Sequence, residues 1–176
     1  MNFEQIASQS KASIHKGDLE KLLRLLEPEN IKYVLEIGTW KGYSAETWIR
    51  AFKPDKLVTI EKDPKFPDAI EIENINYKYF WNTDSHDNDI QFNTEPYDFA
   101  FLDADHSYEG VKKDWEMYGP LVKKGGVIVF HDVVYTSEDP NAPVQVKYLW
   151  SDLKTKYPYI EIKSGNESTG MGVLFV

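Results

Sequence analysis

The stretch Val34-Leu35-Glu36-Ile37-Gly38-Thr39-Trp40-Lys41-Gly42-Tyr43-Ser44-Ala45 constrains this chain more than any other. An apolar run stops at a glycine, and a second glycine closes a tight turn. Ala45, Trp48, Ile49 and Phe52 then recur at helical spacing until Pro54. A strand, a glycine turn and a helix start gather backbone N–H groups and the positive end of a helix at one point. Such a point suits a nucleotide-like or carboxylate-bearing ligand. The spacing Gly38-x-x-x-Gly42 lacks the middle glycine that lets a backbone approach a pyrophosphate, and Thr39-Trp40 stands in its place. That disfavours NAD or FAD. Taken alone, the turn is equally consistent with a plain strand-to-helix connection.

The rest of the chain repeats the alternation. Leu19, Leu22, Leu23 and Leu26 form an amphipathic stripe in an N-terminal helical segment, residues 1–30, ended by Pro28. Strands are expected at 34–37, 57–60, 77–80, 97–102, 127–130, 159–162 and 172–176, with a short helix at 68–73. Further helical faces run through Tyr108, Val111, Trp115 and Tyr118, and through Val146, Leu149, Trp150 and Leu153. Alternating strands and helices imply right-handed βαβ units. The short polar loop Ser164–Gly170 suits a hairpin, so the last strand should run antiparallel to its neighbours. The expected fold is an α/β, three-layer Rossmann-like sandwich with a mostly parallel seven-stranded sheet, as a single domain over 1–176. Ligands of such sheets bind beyond the carboxyl ends of the strands. Here those ends carry Gly38, Glu61, Asp103 and His131-Asp132.

Composition narrows the function. A net charge of −9 argues against a broad nucleic-acid surface. No apolar run approaches the ~20 residues that span a bilayer, and the N-terminus lacks the pattern of a signal peptide. Cysteine is absent, which removes thiolate chemistry and disulfides. A cytoplasmic protein is the expectation.

Glu61 ends the second strand about twenty residues past the turn, where an acid can accept hydrogen bonds from ribose hydroxyls. With Val34–Ala45 and Val58-Thr59-Ile60-Glu61-Lys62-Asp63-Pro64 in hand, the chain resembles the class I S-adenosylmethionine-dependent methyltransferases over residues 30–176. The resemblance implies S-adenosylmethionine as cofactor. Glu36, Gly38, Thr39, Trp40 and Gly42 would lie on the methionine side and Glu61 at the ribose. Thr83-Asp84-Ser85 would lie at the adenine. Trp40 could instead pack on the following helix.

Phe101-Leu102-Asp103-Ala104-Asp105-His106-Ser107-Tyr108, with Gly125-Gly126-Val127-Ile128-Val129-Phe130-His131-Asp132, is similar to the metal-dependent O-methyltransferases. The nearest branch holds macrolide sugar O-methyltransferases and cephalosporin hydroxylase-like proteins. It implies a divalent metal on Asp103 and Asp132, with His106 as general base and a small-molecule or sugar hydroxyl as acceptor; His131, beside Asp132, is a third candidate ligand. In that branch the pair after the fifth strand is usually Asp-Asp or Asp-Asn. His131 departs from it, so either the metal is one that imidazole suits, such as Zn²⁺, Fe²⁺ or Mn²⁺, or His131 is not a ligand, or the protein works without metal. The bland alternatives are strand-end capping by the two acids and helix capping at His106-Ser107. A second function class, a cofactor-binding subunit without turnover, stays open because the chain has no evident lid. Pocket walls are then expected from the 84–96 and 133–145 loops or from a second copy in a homo-oligomer. His15 and His86 read as surface residues, and Lys112-Lys113 and Lys123-Lys124 as solvated helix faces.

Overall fold

The computed structural model describes residues 2–63, 76–80, 82–87, 96–141 and 143–176. The chain opens with helix α1 (Phe3–Gln9), which a capping box between Asn2 and Gln5 starts, and α2 (Lys16–Leu25). Then come β1 (Tyr33–Ile37), α3 (Tyr43–Phe52), β2 (Lys56–Ile60), β3 (Asn76–Phe80) and β4 (Tyr97–Leu102). They are followed by α4 (Tyr108–Tyr118), β5 (Val122–His131), α5 (Val146–Leu153), β6 (Tyr159–Ile162) and β7 (Met171–Phe175). The seven strands form one sheet in the order β3-β2-β1-β4-β5-β7-β6. All pairs are parallel except those of β7, which runs antiparallel to both β5 and β6. The expected architecture and the reversed last strand are both present. The helix expected at 68–73 lies outside the described residues.

Strand residues alternate between two apolar layers because side chains along a strand point to opposite faces. Val34, Phe99, Phe101, Val127 and Val129 pack with α1, α2 and α3 around Leu19, Leu22, Leu23 and Trp48. Leu35, Ile37, Ala100, Ile128 and Phe130 pack with α4 and α5 around Tyr118, Leu149 and Trp150. Trp48 is central to the first layer, with its ring 5.3 Å from Phe99 and 5.1 Å from Phe101. Among the described residues, no helix is long and apolar enough to cross a membrane.

Two local readings change. β5 begins five residues earlier than the apolar run suggests, and Gly125-Gly126 lies inside it. The register with β4 shifts there, so the glycines accommodate an irregularity within the strand. Lys123-Lys124 therefore belongs to a strand and not to a helix face, and Lys123 Nζ sits 2.5 Å from the buried Asp98 carboxylate. That carboxylate also accepts the N–H groups of Lys32 and Tyr33 at 2.6 and 2.7 Å, tying the start of β1 to β4.

Candidate active site

The parallel order puts the ends of β1, β2, β3 and β4 side by side, and a cavity of about 680 Å³ opens there. The turn after β1 supplies its floor. Gly38 takes a φ of 91° and sits directly on the loop after β4, where Asp103 N–H donates to the Ile37 carbonyl at 2.9 Å. Thr39 is buried and bonds the Thr59 hydroxyl and the Ile60 carbonyl, fastening the turn to β2. Gly42 is the N-cap of α3. Trp40 is 46% exposed and forms part of the cavity wall.

Glu61 leaves β2 at the cavity edge and is already engaged with the turn. Its carboxylate accepts the N–H of Trp40, and that of Asp63 at 2.7 Å. Glycine turn and acid are thus one hydrogen-bonded unit. Thr83, Asp84 and Ser85 line the same cavity after β3. Asp84 is held by Lys62 at 2.7 Å and by the His86 N–H at 3.0 Å, which keeps its carboxyl below the usual range.

Glu36 is a correction. It does not face the cavity, because strand parity sends it into the same layer as Val34. Its carboxyl is fully buried, accepting from Trp48 Nε1 at 2.9 Å and Thr59 Oγ1 at 2.7 Å. Burial outweighs these bonds and pushes it up to about 7. Between its ordinary value of 4.5 and about 7, the folded chain holds a proton that the unfolded chain releases. Stability should therefore fall as pH rises through that window, by about 3 kcal/mol in total. Glu36→Gln should remove this slope from a melting-temperature series between pH 4.5 and 6.5, below the range in which the raised His106 and His131 add a slope of the same sign. An unchanged slope would mean that the carboxylate is not the group responsible.

Four polar side chains meet where β4 and β5 end. Asp103 Oδ1 lies 3.1 Å from His106 Nε2 and 3.3 Å from His131 Nδ1. Asp132 lies 3.4 Å from each histidine. Asp103 and His106 face the cavity, while His131 and Asp132 close the cluster from behind, each 8% exposed. Asp132 has a φ of 59°, an unusual conformation for a residue with a side chain and one found where a group is aimed. Burial alone would raise the Asp103 carboxyl, but the facing histidines overcome it and hold it at about 2. Burial likewise works to lower His131, yet the two aspartates bring it up to about 9. The hydrogen bond to Asp103 raises His106. Donor atoms of Asp103, His131 and Asp132 all lie within 4.8 Å of one another. Two carboxylates and one imidazole at that separation are a donor set that fits a divalent ion. The capping job at the start of α4 belongs to Ser107, whose Oγ accepts from the Gly110 N–H at 3.1 Å.

The loops expected to wall the pocket contribute Asp84, Ser85, His86 and Pro143, although 88–95 and 142 lie outside the described residues. Gln145 ties the later loop down by donating its N–H to the His106 carbonyl at 2.7 Å. His86 is not a surface residue. Its ring is half-buried, with Nε2 3.1 Å from Asp114 Oδ1. Asp114 escaped the sequence reading, although it occupies the 111-114-115-118 stripe of α4 where an apolar residue belongs. His15 is exposed, as expected.

Comparison with known proteins bears on this arrangement. Protein R132 of Acanthamoeba polyphaga mimivirus, itself uncharacterized, is 30% identical over 167 residues, covering 83% of this chain and 72% of that protein. The crystal structure of TomG from Streptomyces achromogenes, an O-methyltransferase involved in tomaymycin synthesis and bound to SAM, superposes with a TM-score of 0.66. It is 22% identical over 100% of this chain and 90% of that one. MycE, from the mycinamycin biosynthetic pathway and in complex with Mg, SAH and mycinamycin VI, also gives 0.66. There the identity is 16%, over 99% of this chain and 53% of that one. Both structures share the fold. The model of the methyltransferase domain matches residues 35–133, from β1 through the Asp132 turn, which is more than half of the chain. The stretch matched holds the four-residue cluster and all of the described cavity lining except Pro143, and the chain belongs to the methyltransferase-domain family.

Proposed function

We propose that this protein transfers a methyl group from S-adenosylmethionine to a hydroxyl of a small molecule or sugar, with a divalent metal assisting. One observation carries the reading. A single cavity joins the Gly38 turn and Glu61, the elements suited to the cofactor, to the Asp103–His106 pair suited to a hydroxyl. The likeness to TomG and MycE supports it through the fold.

The cofactor carries an electrophilic methyl on a sulfonium, and the metal would stabilise the acceptor oxygen as its proton leaves. Everything else falls to the chain. Glu61 accepts the ribose hydroxyls, while Asp84 and Ser85 border the nucleobase. Asp103, His131 and Asp132 hold the metal. Their imidazole favours Mn²⁺, Fe²⁺ or Zn²⁺ over Mg²⁺, although MycE was crystallised with Mg. His106 takes the hydroxyl proton. The hydrogen bond to Asp103 raises His106, which makes its ring a stronger base than a free imidazole. Pinning acceptor and methyl in line supplies much of the remaining acceleration.

The cavity also speaks to the acceptor. Its described lining carries Glu61, Asp63, Asp84, Asp103 and Asp105 against one lysine, Lys62, which pairs with Asp84, and no arginine. The chain has two arginines, Arg24 and Arg50, and both pair with glutamates one turn earlier on exposed faces of α2 and α3. The fork that best grips carboxylate or phosphate is missing from the lining. An acceptor without its own negative charge fits best.

Calorimetry with S-adenosylhomocysteine is the direct test of the cofactor site. Binding in the micromolar range is expected, weakened at least about thirtyfold by Glu61→Ala, since two charge-assisted hydrogen bonds are lost. No binding at millimolar ligand would overturn the reading. Binding without methylation across a broad acceptor panel would favour the non-catalytic subunit.

A further inference from the structure

Asp114 is 1% exposed on the apolar face of α4. A carboxylate there is costly unless its partners need it, and a leucine would serve the packing better. Its partners share one property, because they belong to two of the loops that line the cavity. Ser85 Oγ donates to Asp114 Oδ1 at 2.9 Å, and His86 Nε2 lies 3.1 Å from the same oxygen. The backbone N–H of Asp105, in the loop after β4, is a further donor. One turn along α4, the Tyr118 hydroxyl donates to the Ser85 carbonyl. Burial raises the Asp114 carboxyl and the Ser85 bond opposes it, as expected for a buried acid in use. The helix thus grips the 83–87 segment by side chain and backbone together. Ser85, His86 and Asp105 all line the cavity.

We infer that Asp114 is a positioning residue that presets the nucleobase wall of the cofactor site, acting through Ser85 and His86. This rests on the proposed function, which takes the cavity as the S-adenosylmethionine site. Asp114 touches neither cofactor nor acceptor. It holds the loop in its binding shape before the ligand arrives, so that less ordering is needed on binding.

The test is calorimetric titration with S-adenosylhomocysteine, with thermal melting to establish folding, on wild type, Asp114→Leu, Asp114→Asn, Ser85→Ala and the double variant Ser85→Ala/Asp114→Leu. Asp114→Leu should weaken binding at least about tenfold, whereas Asp114→Asn, which keeps an acceptor oxygen for Ser85, should stay within about threefold. The double variant should bind no more weakly than Asp114→Leu alone, because both changes cut the same connection. A merely structural role would not couple to Ser85. Folded variants that bind like wild type, or losses that simply add, would overturn the inference while leaving the cofactor site intact. If Asp114→Leu does not fold, Ser85→Ala and Asp114→Asn decide, and unchanged binding by Ser85→Ala overturns it. Wild type that fails to bind removes the cofactor reading itself and this inference with it.

Discussion

Replacing Gly38 by alanine should destabilise the fold by more than about 3 kcal/mol and abolish cofactor binding. Two costs combine. The residue has a φ of 91°, which strains any side chain. A Cβ built there would also overlap the Asp103 carbonyl and stand 2.8 Å from Ala104 Cα. Those neighbours are backbone in the loop that carries the candidate chemistry, so relief would have to displace Asp103. Gly165 provides the control. Its φ is 78°, but nothing lies within 4 Å of an added Cβ. Gly165→Ala should therefore cost only about 1–2 kcal/mol and leave binding alone. Chemical denaturation of both variants distinguishes close approach from backbone strain. Equal losses would show that contact with the Asp103 loop is unimportant.

Asp103→Asn should weaken Mn²⁺ binding at least about a hundredfold and lower methyl transfer by on the order of 10³-fold, because one residue serves two roles. It supplies a carboxylate to the Asp103–His131–Asp132 donor set and orients His106 at 3.1 Å. Titration of dialysed protein with Mn²⁺ reads the first role without needing an acceptor, and one ion per chain is expected for wild type. Transfer that survives a chelator, in a variant that still turns over, would take the metal out of the mechanism and leave the cluster as an ion-paired proton relay.

Much of this was legible in the sequence because it is local. Strands that are buried on both faces write themselves as continuous apolar runs such as Phe99–Leu102, and the hairpin loop at 164–170 announces the reversed β7. Gly38, Glu61, Asp103 and His131-Asp132 could be grouped in advance because each ends a strand, and strands of a parallel sheet end together. What escaped depends on contacts between distant residues. His86 looks solvated until Asp114, 28 positions on, is seen beneath it, and nothing local announces that the exposed Lys123 pairs with Asp98. Glu36 was misread for a different reason. The resemblance placed it near the cofactor, whereas simple alternation from Val34 already sends it into the layer of Trp48. Asp114 and α1 both carried usable signals, an acid on an apolar stripe and an Asn2–Gln5 capping box, and in each case the local rule was correct.

The central claim is that the Gly38 turn and Glu61 form a cofactor site. Titrating S-adenosylhomocysteine into wild type and Glu61→Ala, with melting curves showing both folded, tests it most directly. Micromolar binding by wild type, weakened at least about thirtyfold in the variant, is the predicted result. Equal affinities in the two proteins, or no heat from wild type at millimolar ligand, would contradict it.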